Sequence, residues 1–133
     1  MDLSKAKTKA RVHRRLTRVG VLQAPEGFFL LSTQEKEEVC NGAGPKNFGW
    51  MVPDYIYGLK IKAAADIHDY CYWAGFDRKF ADELFLKNML ALIAERGGRL
   101  ENLRTVRANT YYWAVRGFGW LAYSPEIKYP EAA

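Results

Sequence analysis

Lys62-Ala63-Ala64-Ala65-Asp66-Ile67-His68-Asp69-Tyr70-Cys71-Tyr72-Trp73, then Ala74-Gly75-Phe76-Asp77, then Arg78-Lys79-Phe80-Ala81-Asp82-Glu83-Leu84-Phe85 is the stretch on which the fold turns. Ile61, Ala64, Ala65, His68 and Tyr72 are spaced to share one helical face, which predicts a helix from about Ile61 to Trp73. Ala74-Gly75-Phe76 breaks that pattern. Asp77 is suited to N-cap a second helix that runs to about Arg96, with Phe80, Leu84, Phe85, Met89, Leu92 and Ile93 as its core stripe and Gly97-Gly98 as its stop. Two helices joined by so tight a turn run antiparallel, so residues equidistant from the turn lie level with each other. His68 stands seven residues before Gly75 and Asp82 seven after it. An imidazole is thereby set opposite a carboxylate. In that arrangement the acid fixes the tautomer and stabilises the cation while the other ring nitrogen accepts a proton.

Downstream, Glu101 to about Arg116 reads as a last helix, amphipathic through Leu103, Val106, Thr110, Trp113 and Ala114, with the aromatic tail from Phe118 to Tyr123 packing back on it. Upstream, Ser32-Thr33-Gln34-Glu35 matches a capping box, and with Asn41-Gly42 as a stop it predicts a short helix over 33–40. Asn41 to Gly58 holds four glycines, two prolines and no helical period, a long loop of the kind that usually carries function. Val19 to Leu31 reads as irregular or briefly extended.

The formal charge of +5 is unevenly placed: residues 1–18 hold seven Lys/Arg against one Asp, and residues 19–133 sum to −1. The basicity therefore belongs to an N-terminal arm over 1–18, expected to be flexible or bound to a partner, and the domain of 19–133 is close to neutral. That balance argues against a nucleic-acid-binding core, while a membrane or protein partner can engage the arm. Two cysteines, Cys40 and Cys71, exclude a disulfide-rich scaffold and are expected to be buried thiols. The start lacks the apolar stretch of a signal peptide and no span of membrane length is present. The expectation is a chain cytoplasmic when made, with virion association or export without a signal peptide as its later routes.

Asp69 follows His68 and points about 100° away from it, so it serves a different partner. A carboxylate aimed at the backbone carbonyls of the glycine-bearing turn Cys40-Asn41-Gly42-Ala43-Gly44-Pro45 is the all-oxygen environment that a hard cation such as calcium prefers. Glycines permit the turn because they accept positive φ.

The run Ala63-Ala64-Ala65-Asp66-Ile67-His68-Asp69-Tyr70-Cys71-Tyr72 resembles the His-Asp-X-X-Tyr active-site helix of the phospholipase A2 superfamily, whose parvoviral version also carries alanines before the His-Asp. Cys40 to Pro45 resembles its calcium loop, and Ala81-Asp82-Glu83-Leu84-Phe85 resembles its second helix. The span from Glu38 to Met89, with the Tyr-Tyr-Trp-Ala-Val-Arg-Gly-Phe-Gly-Trp run after it, also looks similar to small bacterial and phage proteins. The resemblance implies an all-α fold: an antiparallel helix pair with a calcium loop and an additional C-terminal helix. It implies hydrolysis of the sn-2 ester of phospholipids at a membrane surface, with His68 as general base, Asp82 orienting it, Tyr72 hydrogen-bonded to Asp82, and Ca2+ held by Asp69 and the loop carbonyls. Secreted members tie loop to helix through two cysteines, and here those positions are Ala43 and Ala65.

Blander roles stand beside these. Tyr72 is also a suitable core aromatic, Asp66 and His13 are expected to be solvated, and Asp77 is an N-cap rather than a rival to Asp82. Trp113, Trp120, Tyr111, Tyr112 and Tyr123 are expected to be mostly core, with a lipid-interfacial belt as the alternative. The competing functions are a virion or membrane-associated structural protein with little turnover, and a partner- or nucleic-acid-binding module acting through the arm.

Overall fold

A computed structural model describes residues 2–40 and 52–121. Among them the order is α1 (Ser4–Val12), β1 (Leu16–Val19), β2 (Leu22–Pro25), α2 (Glu26–Phe29), α3 (Thr33–Cys40), β3 (Tyr55–Ile56), β4 (Leu59–Lys60), α4 (Lys62–Trp73), α5 (Arg78–Arg96) and α6 (Glu101–Phe118), followed by a 3-10 turn over Gly119–Leu121. The molecule is mostly helical, as expected. The strands add two small antiparallel hairpins, pairing Leu16 with Pro25 through Val19 with Leu22, and Tyr55 with Lys60 through Ile56 with Leu59.

The local signals act as their chemistry requires. The Ser32 hydroxyl accepts from the Glu35 amide at 3.1 Å while a Glu35 carboxylate oxygen accepts from the Ser32 amide at 2.8 Å, a reciprocal cap that starts α3. At the end of α4, Gly75 takes φ 79°, its amide donates to Tyr72 O at 3.3 Å, and the Phe76 amide donates to Cys71 O at 3.0 Å. This pair of bonds satisfies the last carbonyls of α4 and reverses the chain, a task for which glycine carries no steric penalty. Asp77 then caps α5, its carboxylate accepting from the Phe80 amide at 3.0 Å.

α4 packs on α5, α5 on α6, and α3 on α4. Ile61, Ala64, Ile67, Leu84, Phe85, Met89 and Ile93 are buried at the centre of this stack. The β1–β2 hairpin lies against α5, where the Asn88 amide both accepts from Gln23 N and donates to Gln23 O at 2.9 Å, completing the backbone bonding of β2 as another strand would.

Two expectations are corrected. The N-terminal segment is not a free arm: Ser4–Val12 is helical and docks on α2 through Ala6 and Ala10, both fully buried. The small side chains let the helix approach Gly27, where a Cβ would meet Lys9 O at 3.0 Å and Ala10 Cα at 3.3 Å. Lys9 pairs with the buried Glu35 at 2.9 Å, and His13, expected to be solvated, bonds Glu26 at 2.8 Å.

The second correction concerns α6. Leu103, Val106 and Trp113, expected in its core stripe, are exposed, as are Thr110 and Trp120. The buried residues are Arg104, Ala108 and Val115, with Tyr111 half-buried beside them. Arg104 is buried because its guanidinium donates to the carbonyls of Ile56 and Tyr57, capping the β3 turn. Tyr123 lies outside the described residues.

Candidate active site

The symmetric placement about Gly75 brings the two groups together: His68 Nε2 is 2.7 Å from Asp82 Oδ1, with both side chains buried. The Tyr72 hydroxyl, one helical turn beyond His68, donates to the same oxygen at 2.6 Å. All three residues anticipated as a catalytic group therefore meet at one carboxylate.

The other oxygen, Asp82 Oδ2, accepts from Arg116 Nη1 at 2.7 Å, and Arg78 Nη2 lies 3.8 Å from it. Arg78 also donates from Nε to the Tyr72 hydroxyl at 3.2 Å and from Nη2 to the carbonyls of Val115 and Arg116 at 3.1 and 2.6 Å. These two arginines were missed. Arg78 stands at i−4 from Asp82 on the same helix, a spacing that signals such a contact. Arg116 comes from α6, and nothing in its local sequence points to α4 or α5. Gly119 completes this corner, since any Cβ there would collide with the Tyr72 hydroxyl.

Burial alone would raise the Asp82 carboxyl, but hydrogen bonds from His68, Tyr72 and Arg116 hold it below the usual carboxylate range. Burial holds the His68 imidazole below its ordinary value, against the upward pull of Asp82. The resting pair is thus neutral histidine and carboxylate. An ionised carboxylate can only accept, so Nε2 carries the proton toward Asp82, and Nδ1 is the nitrogen with a lone pair for proton transfer. The Tyr72 hydroxyl, pushed upward by its burial and by Asp82, remains a donor.

Asp69 lies on a different side of α4, half-buried. Burial, with Asp66 one turn away, pushes its carboxyl well above the usual range, and among the described residues no hydrogen bond reaches it. A carboxylate so placed is expensive to ionise, and the Lys62 ammonium offsets that cost only in part. Cys40 ends α3 beside this turn of α4, its thiol donating to Asp66 O at 3.3 Å. Its backbone is thereby anchored near the acidic pair, while Gly42 and Gly44 lie outside the described residues. Asp66, expected to be solvated, is half-buried and bonded to Lys62 at 3.0 Å. Among the described residues no three His, Cys, Asp or Glu side chains converge on a metal position. Cys40 and Cys71 are buried free thiols, as expected, and burial raises both.

No family model matches the sequence, and neither the curated proteins nor the solved structures give a match.

Proposed function

We propose that the chain is a calcium-dependent phospholipase A2-like hydrolase that cleaves the sn-2 ester of phospholipids. The observation that carries this reading is the His68–Asp82–Tyr72 group on an antiparallel helix pair. His68 Nδ1 takes a proton from water as the water oxygen attacks the ester carbonyl, and Asp82 stabilises the imidazolium that forms. Tyr72 and Arg116 hold Asp82 in place, so that its charge is present before the proton moves. The imidazolium then returns the proton to the departing alcohol. Asp69 and the carbonyls of Cys40, Gly42 and Gly44 would hold calcium, which supplies charge stabilisation to the oxyanion when bound.

The test is fatty-acid release from mixed phospholipid vesicles, with calcium and with chelator, run beside His68→Gln. Release in calcium, loss in chelator and a drop of about 10²–10⁴ in the variant are expected. No release by the unaltered chain would reject the reading. That result would favour a structural protein using the same network as a buried polar core, an alternative supported by the burial of His68, which is only 2% exposed.

A further inference from the structure

One face of α6 turns away from the core and carries residues that water does not favour. Leu103, Val106 and Trp113, with Thr110 and Gly117 between and after them, recur at intervals of three and four, so they stack along one side of the helix. Val106 and Trp113 are 66% and 67% exposed, and Phe118 and Trp120 carry the apolar surface past the helix end at 57% and 61%. Single exposed apolar residues are ordinary, whereas a continuous strip with two tryptophans marks a surface that meets something else.

Charge decides what that is. From Arg99 to Trp120 the chain has Arg99, Arg104, Arg107 and Arg116 against one acidic residue, Glu101, at the start of the helix. Arg104 and Arg116 are turned inward to carbonyls and to Asp82, while Arg107 is exposed beside the strip and Arg99 is exposed in the turn that precedes the helix. Arg107 donates to the Tyr57 hydroxyl at 2.9 Å, which brings that exposed ring to the same edge. A second copy seated on this strip would bring arginine toward arginine, with Glu101 at the first turn as the one carboxylate of the helix. An anionic lipid surface answers both features: phosphates for the guanidinium groups, and an interfacial layer for indole and phenol rings.

We propose that this face of α6 lies on anionic phospholipid, with Trp113 and Trp120 in the headgroup layer and Arg99 and Arg107 over the phosphates. The choice of lipid rests on the function proposed above, but attachment is read without turnover. The full chain is mixed in chelator with vesicles of phosphatidylglycerol or of phosphatidylcholine, and followed by cosedimentation and tryptophan emission. Binding to phosphatidylglycerol with blue-shifted emission is expected. It should weaken as salt rises from 0.1 to 1 M, where the screening length falls from about 10 Å to about 3 Å. Trp113→Ala should bind on the order of tenfold more weakly, and Val106→Asp should lose binding with the melting temperature unchanged, since both positions are solvent-facing. Binding of both variants equal to the unaltered chain, or no binding to either vesicle, overturns the proposal. So does a chain that sediments as a dimer and becomes monomeric on Trp113→Ala, which would make a second copy the occupant. Binding without any ester cleavage in calcium would uphold the proposal and sink the hydrolase reading.

Discussion

Asp82 is the residue on which the candidate chemistry converges, since one oxygen accepts from His68 and Tyr72 and the other from Arg116. Both members of the His68–Asp82 pair are lowered in the fold, and the sign of the consequence is the same for each. The unfolded chain binds the proton more readily, so stability from His68 is complete above about pH 6.5 and is lost as pH falls below it. The contribution of Asp82 is lost only below about pH 3.9. Thermal melts of the unaltered chain should therefore show a decline beginning under pH 6.5, and His68→Gln should lack that first step. A melting profile flat between pH 7 and 5 would mean that His68 is not held neutral. Asp69 has the opposite sign. Its carboxyl is raised, so its favourable contribution belongs to pH below about 3.9 and disappears as pH rises toward the folded value. Asp69→Asn is thus expected to melt higher than the unaltered chain at pH 7 in chelator, and to lose the further gain that calcium gives the unaltered chain. A variant still stabilised by calcium to the same degree would remove Asp69 from the ligand set.

At the scale of elements, the turn at Gly75 transmits sequence into site geometry: with its φ at 79° it sets the two helices side by side and in register. The α4–α5 pair and the His68–Asp82 contact were legible in the sequence because both depend on short-range signals, a glycine stop, an Asp77 cap and equal counting from the turn. The face of α6 was not legible. Leu103, Val106 and Trp113 have the period of a buried stripe, but the helix is rotated so that the small Ala108 and the carbonyl-bound Arg104 face inward, and periodicity alone does not say which side of a helix meets the protein. The two hairpins were missed for a related reason, since four- and two-residue strands are too short for alternation to show. The end of α6 reaches the site through Gly119, which lies against the Tyr72 hydroxyl. Gly119→Ala should push that ring or the chain end aside, costing about 1–3 kcal/mol and lowering turnover while calcium binding is retained. A variant with unchanged stability and turnover would show that this contact does not hold Tyr72 in place.

Across the whole molecule, the N-terminal helix is part of the packed unit. Ala6 and Ala10 are covered, and Lys9 reaches both Leu30 O and Glu35 at 2.9 Å. Arg14 stacks over Phe76, at 4.1 Å from the ring centre, just past the Gly75 turn. Deleting residues 1–12 should lower the melting temperature by several degrees, since each 1 kcal/mol is worth roughly 3–5 °C in a chain of this size. An unchanged melt with weaker vesicle binding would instead assign the segment to attachment alone. The span of the Asp82 bonds carries a different consequence. His68 and Tyr72 reach it across 14 and 10 residues, whereas Arg116 reaches it across 34. Short loops close at lower entropic cost, so the helix hairpin can form early and the Arg116 bond belongs to a later event, the docking of α6. Until that docking, Asp82 has its His68 and Tyr72 partners and the Arg78 guanidinium at 3.8 Å on its own helix, but lacks the closer contact with Arg116. Arg116→Met should then leave the refolding rate nearly unchanged while speeding unfolding, so that the lifetime of the native state, more than its rate of formation, is set by this one long-range bond.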